Sequence, residues 1–329
     1  MRIFNGSYRK YTATIVVILL TLSASAQVTM KEVVDAFNLG VQFASTNPEV
    51  AIKSFENAIK YADEVNDEEA KGLKANAMSQ IPKVYFDWAR SLVQKGDLQG
   101  GLAQLKNCIA ASEKYNTPIY AQNARPTVAA IYLSLGNTAM KEKKYDDAIS
   151  NYNGAIEYDD RNVKAYLGKV LVYNEREMEE EMVEAAMGGM NSNPRPADLG
   201  TVEDIRKVVT AFYFNSAQKS MQAKEFAETE INLQNAIKFG MDNNPIVYYQ
   251  LGLARISMSK WEDAIAALIE AVDLDEGTDA DKAKYFFNLG KSYEALGNNS
   301  KACESYKKAL HGEFAEAAKY QIETVLKCG

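Results

Sequence analysis

Histidine is almost missing from this chain: His311 is the single one in 329 residues. A metal site built on two or three imidazoles is therefore impossible, and a histidine-based triad would have to use a residue beside Gly312, near the chain end. Basic charge is also short, with 37 Lys plus Arg against 44 Asp plus Glu and a formal charge of −7. That balance removes the electrostatic basis for general binding to nucleic acid or anionic membranes. The densest basic patch is only Lys141, Lys143 and Lys144. There are 7 prolines, and 47% of the residues are apolar, which excludes a disordered or collagen-like chain. No phosphate loop, nucleophile elbow, metalloprotease helix or cofactor motif is present, so no cofactor and no enzymatic activity are expected.

The one long apolar run lies at the N-terminus. Arg2, Arg9 and Lys10 precede Ile15-Val16-Val17-Ile18-Leu19-Leu20, and Ala24-Ser25-Ala26 supplies the small-x-small pattern that signal peptidase reads. Ala13 to Leu22 is about half of the ~20 apolar residues a spanning helix needs, which favours a cleaved signal peptide over an anchor. Residues 1–26 are thus expected to be removed after Ala26, leaving Gln27 first, no membrane span, and a periplasmic or extracellular destination. No cysteine follows the run to carry a lipid. The segment holds three basic and no acidic side chains, so the mature chain carries 34 basic against 44 acidic groups.

Three cysteines, Cys108, Cys303 and Cys328, remain. Cys303 and Cys328 lie 25 residues apart, and a terminal helix folding back can join them. Three reduced thiols are the alternative, because spacing does not supply the Cα separation of about 4.4–6.8 Å that a bridge requires.

After residue 30, apolar residues recur at helical spacing and no alternating strand pattern stands out. Tyr132-Leu133-Ser134-Leu135-Gly136 is followed by Tyr145, Ala148, Tyr152 and Ala155-Ile156. The same order returns in Tyr248 to Gly252, Trp261, Ala264, Leu268 and Ala271-Val272, and again in Phe286 to Gly290, Ala302, Tyr306 and Ala309-Leu310. Gly136, Gly252 and Gly290 lack a side chain where one helix must approach the next, and Ala148, Ala264 and Ala302 answer from the other side. Tyr152, Leu268 and Tyr306 fill the gap one turn later, while Ala155, Ala271 and Ala309 admit the following helix. These three segments resemble the tetratricopeptide repeat, a 34-residue helix pair that stacks in series because one pair cannot bury its apolar face alone.

Weaker copies follow from that template. Gly40 with Ala51, Phe55 and Ala58 makes a first repeat, shortened by one residue in its turn. Ala89 with Gly101, Leu105 and Cys108 makes a second. Tyr166, Val170 and Ala186 make a degenerate fourth at 163–190 without the Leu-Gly step, and Tyr213, Ala217, Phe226, Leu233 and Ala236 make a fifth. The expected fold is all-α: a right-handed superhelix, or α-solenoid, of about seven such pairs with a capping helix over Phe314 to Lys327. The surplus residues before Trp88 read as helix, so that first helix is expected to be extended or kinked at Pro82. Those before Ala217 read as a loop or hinge at 188–202, on the cluster Gly188-Gly189, Asn191 to Pro194 and Pro196. That hinge divides an irregular block, 27–187, from a regular one, 203–329.

Acidic clusters offer little chemistry. Glu175, Glu177, Glu179, Glu180, Glu181 and Glu184 point around more than one helix face and read as solvated. Asp273, Asp275, Glu276, Asp279 and Asp281 look like a calcium loop, but Gly277 comes one place early and Lys284 stands where the closing acid belongs. Met178, Met182, Met187 and Met190 recur at helical spacing and read as a core stripe rather than a pliable binding face.

The resemblance implies a concave groove lined by the first helix of each pair, one residue after the aromatic and one and four after the small residue. These places are Leu133, Asn137 and Met140; Phe214, Gln218 and Met221; Tyr249, Leu253 and Ile256; and Phe287, Lys291 and Glu294. Some family members grip a terminal carboxylate with Lys, Arg and Asn there, a pattern that only Asn137 and Lys291 fit. The groove is mainly apolar, which suits a helix or extended segment of another envelope or secreted protein. The function expected from the resemblance is an exported, non-enzymatic scaffold or adaptor. A glycan- or peptide-binding accessory protein is the alternative, and weak self-association through the same groove is a further expectation.

Overall fold

The computed structural model describes residues 28–328, and the proposed signal peptide lies outside them. Seven helix pairs follow one another: α1 (Met30–Phe43) with α2 (Pro48–Val65), α3 (Glu68–Gln94) with α4 (Leu98–Lys114), α5 (Pro118–Lys141) with α6 (Tyr145–Tyr158), α7 (Val163–Glu175) with α8 (Glu179–Asn191), α9 (Leu199–Ala223) with α10 (Phe226–Ala236), α11 (Pro245–Ser257) with α12 (Trp261–Leu274), and α13 (Asp279–Ala295) with α14 (Asn299–Lys308). A short α15 (Ala315–Tyr320) ends the stack. No strand occurs among the described residues, and the molecule is an α-solenoid.

Helix starts are written in the local sequence. Asn47, Asp67, Asp97, Asn162, Asn244 and Asn298 each accept a backbone N–H of the first turn that follows. Thr278 and Asp281 close a capping box at α13. The turn inside each pair is equally uniform. Gly96, Lys143, Glu177, Lys224, Ser259 and Gly297 all have left-handed backbone, with φ between 53° and 86°. Each of these lies seven residues after the small position of its repeat.

Close approach within each pair holds the stack. A Cβ placed on Gly40, Gly136 or Gly290 would come within 2.7 Å of the ring of Phe55, Tyr152 or Tyr306, and one on Gly252 within 2.7 Å of Leu268. Ala89 and Ala217 stand in the same register against buried Leu105 and Leu233. Ala148, Ala155, Ala264, Ala271, Ala302 and Ala309 are all 0% exposed. The fourth pair is a repeat with its sizes exchanged: Val170 replaces the glycine, Ala186 replaces the aromatic, and Met182 occupies the alanine place. All three are fully buried in one cluster. Of the methionine stripe, Met182 and Met190 join this core, while Met187 is exposed.

The hinge and loop expected at 188–202 are corrected by the structure. Gly188 and Gly189 are helical in α8, and α9 already begins at Leu199, so the connector is only Ser192 to Asp198. Gly189 is a stacking position, because a Cβ there would meet Ile205 at 2.7 Å and Tyr166 at 2.9 Å. The connector is pinned: Arg161 donates to the Asn193 carbonyl at 2.7 Å, and Arg195 pairs with Asp159 at 2.8 Å. One apolar cluster, including Val163, Met182, Ile205, Tyr213 and Phe239, runs across the supposed block boundary. The surplus residues lengthen first helices instead, giving α3 27 residues, α5 24 and α9 25. Pro82 lies buried inside α3, as the extended-helix reading expects.

The capping segment is also less regular than one helix. A single 3₁₀ turn at Gly312–Phe314 precedes α15, and a π-helical turn at Gln321–Val325 follows it. Ala318, Ile322 and Leu326 cover Tyr306 and Ala309, whereas Tyr320 and Val325 face solvent. A Cys303–Cys328 disulfide, with Cα atoms 5.8 Å apart, ties the segment to α14. Cys108 is buried in the second repeat, and that burial pushes its thiol up to about 11.

Thiol titration of the unreduced protein is accordingly expected to find no fast-reacting group in the native state. One thiol should appear on denaturation and three after denaturation with reduction. A fast-reacting native thiol contradicts the pairing or the burial.

Candidate functional site

Packing between repeats occupies much of the surface expected to line the groove. Leu133 and Met140 lie against the cluster around Tyr152 and Val172, and Asn137 accepts the Tyr152 hydroxyl at 3.0 Å. Phe214 packs on Val247 and Leu251, and Gln218 donates to Gln250 of α11 at 2.8 Å. Tyr249 meets Tyr285 edge-on at 5.2 Å, and Ile256 is buried. Phe287 sits between Tyr306, at 5.6 Å, and Phe314, at 5.4 Å, while Glu294 accepts the Tyr306 hydroxyl at 2.7 Å. Met221 and Leu253 are half-buried, and Lys291 is exposed.

An open cleft lies instead between the first helices of the fourth and fifth repeats, α7 and α9. It encloses about 470 Å³. Leu171, Val208 and Phe212 supply apolar surface, Asn174 and Asn215 supply amides, and Glu177 and Lys219 stand at the edge 3.8 Å apart. That ion pair is solvent-exposed and contributes little energy, so it leaves both charges available to a ligand. Leu171 and Asn174 fall one and four residues after Val170, the register that the resemblance assigns to groove positions. They were missed because the fourth repeat lacks the Leu-Gly step. On α9 the lining residues follow Phe214 and Gln218 by one place, so the cleft-facing stripe is rotated by about 100° from the expected one. The spacing of Val208, Phe212, Asn215 and Lys219 was the available signal.

The cleft offers apolar and amide surface, and its lining residues assemble no nucleophile with a base. Ser216 is its one hydroxyl, and no histidine or cysteine lines it. Among the described residues no cluster of three or more His, Cys, Asp or Glu is arranged for a metal. The acids of the calcium-like loop have structural partners: Asp275 accepts from the Tyr285 hydroxyl at 2.7 Å and the Gly277 N–H at 2.8 Å, and Asp281 caps α13. These bonds hold both carboxyls below the ordinary carboxylate range. In the acidic run, Glu179 accepts from the Tyr213 hydroxyl at 2.8 Å. Among the described residues no helix is long and apolar enough to cross a membrane.

With this architecture in view, residues 129–162 and 249–320 match family models of the tetratricopeptide repeat. The chain therefore contains tetratricopeptide repeats over these two stretches. No curated protein matches it. Among solved structures, the crystal structure of MamA protein is 20% identical, with 60% of this chain and 95% of that one covered and a TM-score of 0.30. YrrB, described as a TPR protein with an unusual peptide-binding site, is 20% identical over 62% of this chain and 96% of its own, with a TM-score of 0.31. A tetratricopeptide repeat protein from Parabacteroides merdae ATCC 43184 is 15% identical, covers 91% of this chain and 100% of its own, and has a TM-score of 0.29.

A charge cluster centred on buried Glu230 fastens the fifth repeat to the sixth. Glu230 accepts from Arg255 at 2.8 Å and from Lys260 at 2.6 Å. Burial pushes its carboxyl up, but the two hydrogen-bonded cations outweigh burial and hold it below its ordinary value of 4.5. A group with a depressed folded pKa stabilises the fold above about 4.5 and loses that contribution as pH falls through the folded value. Glu230→Gln is expected to cost about 1.5–3 kcal/mol at pH 7, with the difference from wild type shrinking as the pH drops below 4.5. Denaturant melts at pH 7 and pH 3.5 measure this; an equal penalty at both contradicts the assignment.

Proposed function

We propose that this protein is a non-enzymatic scaffold that holds an extended segment of a partner protein in the α7–α9 cleft. The observation that carries the reading is the composition of that cleft: apolar surface from Leu171, Val208 and Phe212 beside the amides of Asn174 and Asn215. Amide side chains pair with both N–H and C=O groups of a peptide backbone, and the apolar surface takes alternate side chains. A ligand of this kind needs no chemistry from the protein, in keeping with a cleft that has no nucleophile-base pair.

We also propose that the protein works outside the cytoplasm, after cleavage behind Ala26, on another envelope or secreted protein. The basic, apolar and small-residue order of residues 1–26 supports this, as does the Cys303–Cys328 pairing, since disulfides persist in oxidising compartments.

The test is capture of partners from the native envelope fraction with wild type and with a Leu171→Glu/Asn215→Lys variant. Leu171 is 38% exposed and Asn215 is exposed, so the fold should survive both changes within about 0.5 kcal/mol each. A protein retained by wild type and lost by the folded variant is the expected result. The same partner retained by both contradicts the cleft as the working surface.

A further inference from the structure

The fourth repeat departs from the others at one more position, the residue before the small one. Leu39, Trp88, Leu135, Ser216, Leu251 and Leu289 stand there in the remaining repeats, and Lys169 stands there in the fourth. Leu251 and Leu289 of the sixth and seventh repeats are only 3% and 5% exposed, so there the fold buries an apolar side chain at this place, whereas Leu39 of the first repeat is exposed. Lys169 is half-buried, and among the described residues no hydrogen bond or ion pair joins its ammonium to an acid. Burial therefore pulls its pKa below the ordinary 10.5, with Glu184 partly offsetting the effect.

Lys169 lines an open depression of about 500 Å³ on the second-helix side of the stack, between α6 and α8 and away from the α7–α9 cleft. That volume lies within the ~300–1,000 Å³ of small-molecule sites. Ile156 and Met187 contribute apolar wall, Asn153 and Asn191 contribute amides, and Glu184 faces the same space. The corresponding depression between α12 and α14 provides an internal comparison. Residues at matching register line it, but it is floored by Leu289 and encloses about 220 Å³. The lysines at its edge, Lys301 and Lys308, lie over the rings of Tyr293 and Phe286 at 5.3 and 5.4 Å. Where no ammonium stands on the floor, the space is smaller and its cations are occupied.

An unpaired, half-buried ammonium is costly unless an anion meets it. Glu184 repels a simple anion and complements a cation set beside one. We propose that the depression between α6 and α8 binds a small zwitterion of the amino-acid type, its carboxylate on Lys169 and its ammonium on Glu184, with the uncharged part against Ile156 and Met187. A free amino acid and a dipeptide share this chemistry. The site is separate from the proposed partner cleft and does not depend on it.

Titration calorimetry of the purified protein with leucine and with glycyl-leucine tests the proposal and separates the two sources. One of them is expected to bind at a single site, and 4-methylpentanoate and 3-methylbutylamine, each carrying one of the two charges, at least tenfold more weakly. Lys169→Leu should melt at a higher temperature than wild type and lose at least tenfold in affinity. The exposed Glu184→Gln change should weaken the zwitterion while leaving 4-methylpentanoate no weaker than before. The proposal is overturned if neither zwitterion binds, if either variant binds it unchanged, or if the carboxylate-only compound binds equally well. A lower melting temperature for Lys169→Leu would make the ammonium a requirement of the fold and overturn it too.

Discussion

A small residue facing a large one sixteen positions later is the contact on which the rest of this molecule depends. With Gly136 against Tyr152, Gly252 against Leu268 and Gly290 against Tyr306, the ring or isobutyl group lies where a Cβ would be. In most pairs this close approach goes with a turn at one fixed place in the chain between the two helices. The left-handed residue accordingly recurs seven positions after each small one in six of the seven pairs, even where Lys143, Glu177, Lys224 or Ser259 must adopt it. A non-glycine residue in that region costs about 1–2 kcal/mol, which the packing of the pair outweighs. The small residues at Ala155, Gly189, Ala236, Ala271 and Ala309 then let the following pair stack. Length varies most where this geometry leaves freedom, at the starts of α3, α5 and α9 and to a smaller extent of α13.

The same contact explains where the surface is interesting. Regular repeats use their first-helix residues to pack on one another, which is why Phe214, Tyr249, Ile256 and Phe287 are engaged with neighbours. The fourth repeat exchanges large for small at Val170 and Ala186 and puts Met182 beside them. Its neighbour α9 sits so that a cleft remains against α7, and Lys169 lines a second, open depression on the second-helix side. Both candidate sites border the one repeat that breaks the pattern, which fits the tendency of functional sites to appear where local rules are broken.

Much of the fold could be read from residue spacing because the interlock acts between residues close in sequence. Gly, Ala and aromatic residues at fixed intervals declare the pair, and Cys108 at an alanine place declares itself as core. The connector was misread because a glycine pair followed by Asn and Pro looks like a loop, whereas Gly189 is small for the sake of Ile205 and Tyr166, its neighbours in space. The cleft was hidden for a related reason. Which stripe of α9 is left open depends on how that helix is rotated against α7 and α11, and this is set by Tyr213 stacking on Phe239 and Phe214 turning to α11. The Cys303–Cys328 bridge depends on the path of the chain after α14, which 25 residues of spacing leave open.

The most direct measurement is a double-mutant cycle on the third repeat, copying the size exchange that the fourth repeat already has. Gly136→Val alone should overpack the pair and cost about 1–3 kcal/mol, and Tyr152→Ala alone should leave a cavity and cost about 3–5 kcal/mol. If the small-to-large contact governs the fold, the double variant will be more stable than the sum of the two penalties implies, by at least about 1 kcal/mol. Penalties that add within about 0.5 kcal/mol would show that the two residues act independently, and would contradict the account.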